Sequence, residues 1–479
     1  MFVVHEAELA FLNRVLARQQ HPGPGQLAML YGRRRLGKTT LLRHWAEASG
    51  VPFTHWVAEQ APAGVQRRSL YAQLLGKDPA QRGITFESWS DLWQIVAPPY
   101  QTERRIIILD DLPYAAEADS AMLSALQHAW DWHFERSQAM IVLCGSHIRT
   151  MELLMAYSSP LYGRMTGQWR LQPLPFGALR TFLSGWPADQ QVALYAMVGG
   201  VVAYLSWFRA DRSLLENVRD GILSPGSLAH DEALLLLADE LREPRAYLAI
   251  LAAIGAGCHT FAAIKDATLL GDVHLPAYLS TLQERRFVER RLPVTVPPLH
   301  QHRSRMGRYH LSDPFLRFYF RFLHPHRAIL GSAPERILPI LERDLPTFVA
   351  QTAWPELARQ WVRVRGHAGG LPFVPEVIGS HWSRNVQAPV VAISWTERAI
   401  LIGESLWETD AVDRQTVRDL LERTIPLTVA DLPDKGDGWQ VYPALFARAG
   451  ATPAARKTLT DARGTLVDLA GLTTDLAAR

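Results

Sequence analysis

Four residues at fixed spacing carry the strongest chemical signal in this 479-residue chain: Gly32, Gly37, Lys38 and Thr39, within Gly32-Arg33-Arg34-Arg35-Leu36-Gly37-Lys38-Thr39. They satisfy G-x-x-x-x-G-K-[ST], a pattern whose chemistry is phosphate binding. The glycines let the backbone curl so that successive N–H groups point at phosphate oxygens, beside the positive end of a following helix. Lys38 is placed to reach the β- and γ-phosphates and the Thr39 hydroxyl to hold Mg²⁺. Arg33, Arg34, Arg35, Leu36 and Thr40 complete the candidate nucleotide-binding residues. A second signal is Ile106-Ile107-Ile108-Leu109-Asp110-Asp111, an aliphatic run closed by two carboxylates. A run apolar on both faces reads as a central parallel strand, whose C-terminal end is where open α/β sheets bind ligands. Asp110 is the candidate Mg²⁺ ligand, and Asp111 the candidate for orienting or deprotonating an attacking water. The bland alternative is a solvated Asp-Asp turn. Ser146, closing the apolar run Ala139–Ser146, is a candidate contact to the γ-phosphate or else a helix N-cap.

The elements needed to position these residues are legible. Leu27–Tyr31 reads as a strand entering the glycine loop, and Thr40–Ala46 as the opening of a helix leaving it. Val51–Val57 reads as another strand, so strands alternate with helices and the N-terminal fold class is α/β with a parallel sheet. Residues 1–22 read as one amphipathic helix with Leu9, Leu12, Val15 and Leu16 on a face, ended by Pro22-Gly23-Pro24-Gly25. No apolar run approaches the roughly 20 residues of a membrane span, and the N-terminus lacks a signal-peptide pattern. Cys144 and Cys258 are the only cysteines, which excludes a disulfide framework and suits a reducing cytoplasm. The net charge of +3 is too mild to point to nucleic acid by itself.

Asp110-Asp111-Leu112-Pro113-Tyr114, Leu143-Cys144-Gly145-Ser146 and Ser159-Pro160-Leu161-Tyr162-Gly163-Arg164 together resemble the archaeal-type ATPase family, STAND-class relatives of the AAA+ proteins. That family reads D-E-F-P-Y, L-C-G-S and S-P-L-Y-G-R-R-T at these places. The opening Phe2–Leu9 is similar to its F-x-x-R-E-x-E-L, with His5 in place of arginine. The resemblance implies an ATPase using ATP and Mg²⁺, with Asp111, Lys38, Arg164 and Ser146 as its catalytic candidates. Arg164 would serve as a sensor or arginine finger near the γ-phosphate, or alternatively as an arginine that fixes its own loop. Asp111 stands where the family has glutamate, which predicts slow turnover. Gly199–Leu205 resembles the lid motif G-G-x-P-x-Y-L, with Val202 replacing its proline.

Beyond the core at 1–175, residues 176–240 read as a helical lid with amphipathic stretches at Asp189–Met197 and Ser213–Ile222. Three helices and a hairpin over 241–325 read as a winged helix. Arg285, Arg286, Arg290, Arg291, Arg303, Arg305 and Arg308 gather on its wing and third helix, suiting either DNA phosphates or an internal docking role. Ser312–Phe322 resembles the family's L-S-D-P-F-L-R-F-W-F-R-F and reads as a packing seam. Residues 335–479 correspond to the family's restriction-endonuclease-like domain, an α/β fold. Glu404 remains there, but Pro389 and Leu406 stand at the aspartate and lysine positions, so its chemistry is expected to be lost. The leading expectation is a cytoplasmic Mg²⁺–ATP switch ATPase with a protein partner or a second copy of the chain as its output. The alternative is an ATP-controlled DNA-binding regulator or defence effector.

Overall fold

The structure, a computed structural model, describes residues 5–18, 24–77, 85–100, 102, 104–241, 244–330 and 332–477. The chain divides into two compact units. The first runs to Pro173 and includes Val201–Ala203; the second comprises Leu174–Gly200 and everything from Tyr204 onward.

The first unit is built on five parallel strands: β1 (Gln26–Tyr31), β2 (Phe53–Val57), β3 (Arg105–Asp110), β4 (Ala139–Gly145) and β5 (Gly167–Arg170). Their order is β2-β3-β4-β1-β5, so β4 separates the strand of the glycine loop from the strand of the two aspartates. Every residue of β1 and β4 is buried, as their unbroken apolar character requires. One face is covered by Trp56, Trp89, Trp93 and Phe134, packed edge-on in pairs. The first helix is shorter than expected, Glu6–Ala17, and buries Phe11 along with Leu12, Val15 and Leu16, leaving Leu9 half-buried. It lies over β5 at Gly167, where a Cβ would meet Val15 and Phe11 at 3.0 and 3.1 Å. Residues 1–4 and 19–23, parts of that expected helix, of the Phe2–Leu9 resemblance and of its proline-glycine stop, lie outside the described residues.

In the second unit, Asp189–Met197 falls in the helix Ala188–Val198, which is buried almost all round rather than on one face. It packs against Leu338–Gln351 and Ala353–His367, and Arg448 grips its Asp189 at 2.7 Å. Ser213–Ile222 forms a short capped helix, Leu214–Asn217, continued by one wide turn. After the helix Glu232–Glu240 come three more, Pro244–Gly255, Phe261–Thr268 and His274–Glu284, then the antiparallel hairpin β6 (Val288–Arg291) and β7 (Arg308–Leu311). In Ser312–Phe322 all of Phe315, Phe318, Tyr319, Phe320 and Phe322 are buried, so these aromatics pack internally.

A mixed sheet closes the chain: β8 (Val377–Trp382), β9 (Gln387–Ser394), β10 (Ala399–Leu406), β11 (Gln440–Ala447) and β12 (Thr465–Asp468), ordered β12-β11-β10-β9-β8. β8, β9 and β10 are antiparallel, while β10, β11 and β12 run parallel. No helix among the described residues is long and apolar enough to cross a membrane.

Candidate nucleotide-binding site

The glycine loop is shaped by two backbone demands. Gly37 sits at φ 85 as the N-cap of the helix Lys38–Ala48, in the left-handed region that glycine adopts without cost. At Gly32 a Cβ would come within 2.6 Å of the Leu171 carbonyl, so only glycine fits the passage out of β1. Arg35 also takes a positive φ of 69 and is exposed, and its carbonyl accepts the Ala203 N–H at 3.3 Å. The Leu36 side chain is buried in the fold, leaving only its backbone to serve a ligand, whereas Thr39 and Thr40 are exposed. Arg33 and Arg34 are half-buried. Arg34 hydrogen-bonds the Tyr114 hydroxyl, and its guanidinium lies over that ring.

Lys38 is buried, and its Nζ donates to the Arg33 carbonyl at 2.8 Å. Burial pulls the ammonium below its ordinary value, while the nearby Cys144, Asp111 and Asp110 oppose that pull. A buried cation at the start of a helix is a setting that favours an incoming anion.

Asp110, at the end of β3, is the electrostatic centre. Burial pushes its carboxyl up, but hydrogen bonds from His55, the Cys144 thiol and the Thr39 hydroxyl more than offset this and hold it down at about 2. His55 on β2 lies 3.2 Å from Oδ2. Three consecutive strands therefore converge on one ionised carboxylate, and the first residue after Lys38 touches it. The following Asp111 adopts φ 48 as N-cap of the helix Leu112–Ala118. A non-glycine residue held in the left-handed region is strained, a feature that gathers at functional sites. Its N–H donates to Asp110 Oδ1 at 2.9 Å, and its own Oδ1 accepts the Ser146 hydroxyl at 3.1 Å.

Ser146 thus joins the acidic pair. It is not the N-cap of the next helix, Ile148–Leu153, because His147 holds that position. Arg164 is placed elsewhere in function: its guanidinium grips Asp131 at 2.7 and 2.8 Å and donates to the carbonyls of Pro160 and Tyr162. These contacts are those of the loop-fixing alternative for Arg164. Sequence reasoning missed His55 and the role of Cys144. The available signal was positional: β2 pairs with β3 so that Val57 stands opposite Asp110, and His55 is the polar residue two places earlier.

The geometry of loop, lysine and acidic strand end is that of a P-loop nucleotide site. Residues 2–207 match the family model of an ATPase domain predominantly from Archaea. This part of the chain resembles an archaeal ATPase domain. A second model, of archaeal and bacterial proteins of unknown function, matches residues 319–419. An uncharacterized protein of Methanocaldococcus jannaschii is 28% identical over 430 residues, spanning 88% of this chain and 92% of that protein. Among solved structures, the Walker-type ATPase of Pyrococcus abyssi is similar at 19% identity with a TM-score of 0.45, over 67% of this chain and 96% of that one. The ORC2 protein of Aeropyrum pernix, solved with ADPNP and ADP, is similar at 15% identity with the same score, over 71% and 95%.

The second candidate centre, in β9 and β10, keeps one acidic residue, Glu404. Among the described residues, the Ser405 N–H is the one hydrogen-bond donor to the Glu404 carboxylate, at 3.1 Å, and burial pushes it up to about 6. Of the seven arginines at 285–308, Arg291 and Arg308 reach side chains elsewhere in the second unit, whereas Arg285, Arg290, Arg303 and Arg305 are exposed. Arg291 bonds Glu289 and Glu356 at 2.6 and 2.8 Å, and Arg308 lies 4.9 Å over the Trp382 ring. With Val294 N–H on the Ser380 carbonyl and Trp382 Nε1–H on that of Met306, the hairpin is fastened to the C-terminal sheet.

Proposed function

We propose that this protein is a Mg²⁺-dependent ATP switch that hydrolyses ATP slowly and passes its nucleotide state to the segments after residue 175. The observation that carries this reading is the Thr39 hydroxyl on an Asp110 carboxylate held down at about 2, beside a buried Lys38. Those two oxygens fit a hard divalent cation. Bound there, Mg²⁺ would neutralise charge on the β- and γ-phosphoryl oxygens. The chain's own residues do the rest. The loop N–H groups from Gly32 to Thr39 cradle phosphates, and Lys38 supplies a cation in a site partly shielded from water. Asp111 orients the attacking water, and Ser146 fixes the rotamer of that carboxylate.

The Asp111 carboxylate is one methylene shorter than glutamate and already engaged by Ser146, which agrees with slow turnover. The output is a protein contact through a winged helix at 241–325 and an inactive nuclease-like domain at 335–479. The fastening of Arg291 and Arg308 to the C-terminal region supports internal docking over DNA contact. Phosphate release with Mg²⁺–ATP tests the reading. Asp111→Asn is expected to lower kcat about 100-fold with nucleotide affinity retained; equal turnover in the two proteins would overturn the role given to Asp111.

A further inference from the structure

A cavity of about 360 Å³ in the second unit is lined by the end of the helix Pro244–Gly255 and the loop after it, the hairpin, the segment 317–321, and the helices Leu338–Gln351 and Ala353–His367. Its charged lining is Arg291, Arg317, Arg321 and Glu356. Glu356 sits between two guanidiniums, 2.8 Å from Arg291 and 2.8 Å from Arg317. Burial pushes that carboxyl up, and the arginines, with Arg359 behind them, bring it down to about 2. Arg291 has a second carboxylate, the partly exposed Glu289.

Positive charge exceeds negative charge around this cavity. Arg291 meets Glu356 and Glu289, Arg317 meets Glu356 and donates to the carbonyls of Leu311 and Ser312 at 2.8 and 3.4 Å, and the deeply buried Arg359 lies behind the wall, three cations against two anions. Arg359 donates to the Pro389 carbonyl at 2.7 Å, a dipole rather than a charge. Burial lowers it to about 10 despite Glu356, as expected for an under-compensated guanidinium. Arg321 adds a fourth cation at the exposed mouth. Asp344, which feels Arg321, is already held by Arg343 at 2.7 and 3.0 Å.

The rest of the wall is uncharged. His259 and His310 stack face to face with ring centres 4.3 Å apart, and Phe348 lies alongside in the lining. Burial and the neighbouring arginines drive His310 to about 2, and burial lowers His259, so both imidazoles are neutral at pH 7. A cavity of this size, lined by charged groups and flat rings, has the proportions of a small-molecule site.

We propose that this cavity binds a small phosphorylated ligand, its phosphoryl group held by Arg317 and Arg321 and its remainder against the His259–His310 stack. A phosphomonoester brings close to two negative charges in one group at pH 7, and guanidinium forks match its oxygens. Because the lining comes from both the hairpin module and the C-terminal helices, an occupant would brace one against the other. The site is independent of the nucleotide loop and does not rest on its function.

Calorimetric titration of full-length Lys38→Ala protein with inorganic phosphate tests the proposal with the loop disabled. The expected result is saturable binding with a Kd on the order of 1 mM or tighter, weakened about tenfold or more by adding Arg321→Glu and largely retained with Arg321→Lys. Arg321 is exposed, so both variants should keep the fold, which circular dichroism checks. No saturable binding of phosphate, or equal binding with Arg321→Glu, would overturn it. Arg321-dependent binding of duplex DNA that displaces phosphate would also overturn it, because the phosphates recognised would then be those of a nucleic-acid backbone.

Discussion

Asp110 at the end of β3 and Glu404 near the end of β10 are both acidic residues that follow an aliphatic strand, yet their surroundings differ completely. His55, Cys144 and Thr39 converge on Asp110 and hold it ionised, down to about 2. Burial leaves Glu404 at about 6, with a single backbone donor among the described residues. The difference lies in what adjacent strands contribute. β2 and β4 supply a histidine and a thiol beside Asp110. β9, in register with β10 so that Val390 faces Gly403, offers the backbone of Pro389 in the neighbouring place. A carboxylate becomes a site only when its sheet neighbours stabilise the charged form.

The largest expected effect separates these two carboxylates by activity. Asp110→Ala should reduce Mg²⁺–ATP turnover by about 100-fold or more, whereas Glu404→Ala should leave it unchanged. Phosphate-release rates check both, and a comparable loss for Glu404→Ala would break the contrast. A third buried carboxylate sharpens it. Glu356 is stabilised as Asp110 is, but by two arginines in a structural setting. Glu356→Ala should cost about 3–5 kcal/mol in denaturant unfolding, because it strands buried guanidiniums; a change under about 1 kcal/mol would show that the network does not fasten the module.

Glu404 supplies a smaller effect with a definite sign. A carboxyl raised from 4.5 to about 6 on folding holds its proton more tightly in the native state. Its cost is absent below pH 4.5, grows as pH rises through 6, and reaches at most about 2 kcal/mol at pH 8, less what solvent screening removes. Glu404→Gln should therefore raise the melting temperature at pH 8 and leave it nearly unchanged at pH 4.5. The reverse order would mean that an undetected partner stabilises the ionised form. Smallest is Arg164→Ala, expected to lower stability by about 1 kcal/mol through loss of the Asp131 pair while leaving kcat intact. A fall in kcat of about 1,000-fold would restore the finger role.

Much of this was legible from local order in the chain. The glycine loop, the aspartate pair and Ser146 announce themselves because the chemistry needs fixed residue types within one strand-turn-helix unit. His55 was invisible because it reaches Asp110 through parallel pairing between strands about fifty residues apart. The Arg164–Asp131 pair and the Arg291–Glu356 bond were hidden because their partners lie 33 and 65 residues apart in the chain, and the latter fits the internal-docking alternative. The length of the first helix and the all-round burial of Ala188–Val198 depend on what packs against them, which periodicity does not report.

The central claim is that Gly32–Thr39, with Asp110, holds Mg²⁺–ATP. Thermal unfolding of wild-type and Lys38→Ala protein with and without saturating Mg²⁺–ATP tests it most directly. The wild type should gain about 2.7 kcal/mol of stability at a ligand concentration 100 times Kd, and Lys38→Ala should gain nothing measurable. An equal shift in both proteins would contradict the assignment of the site.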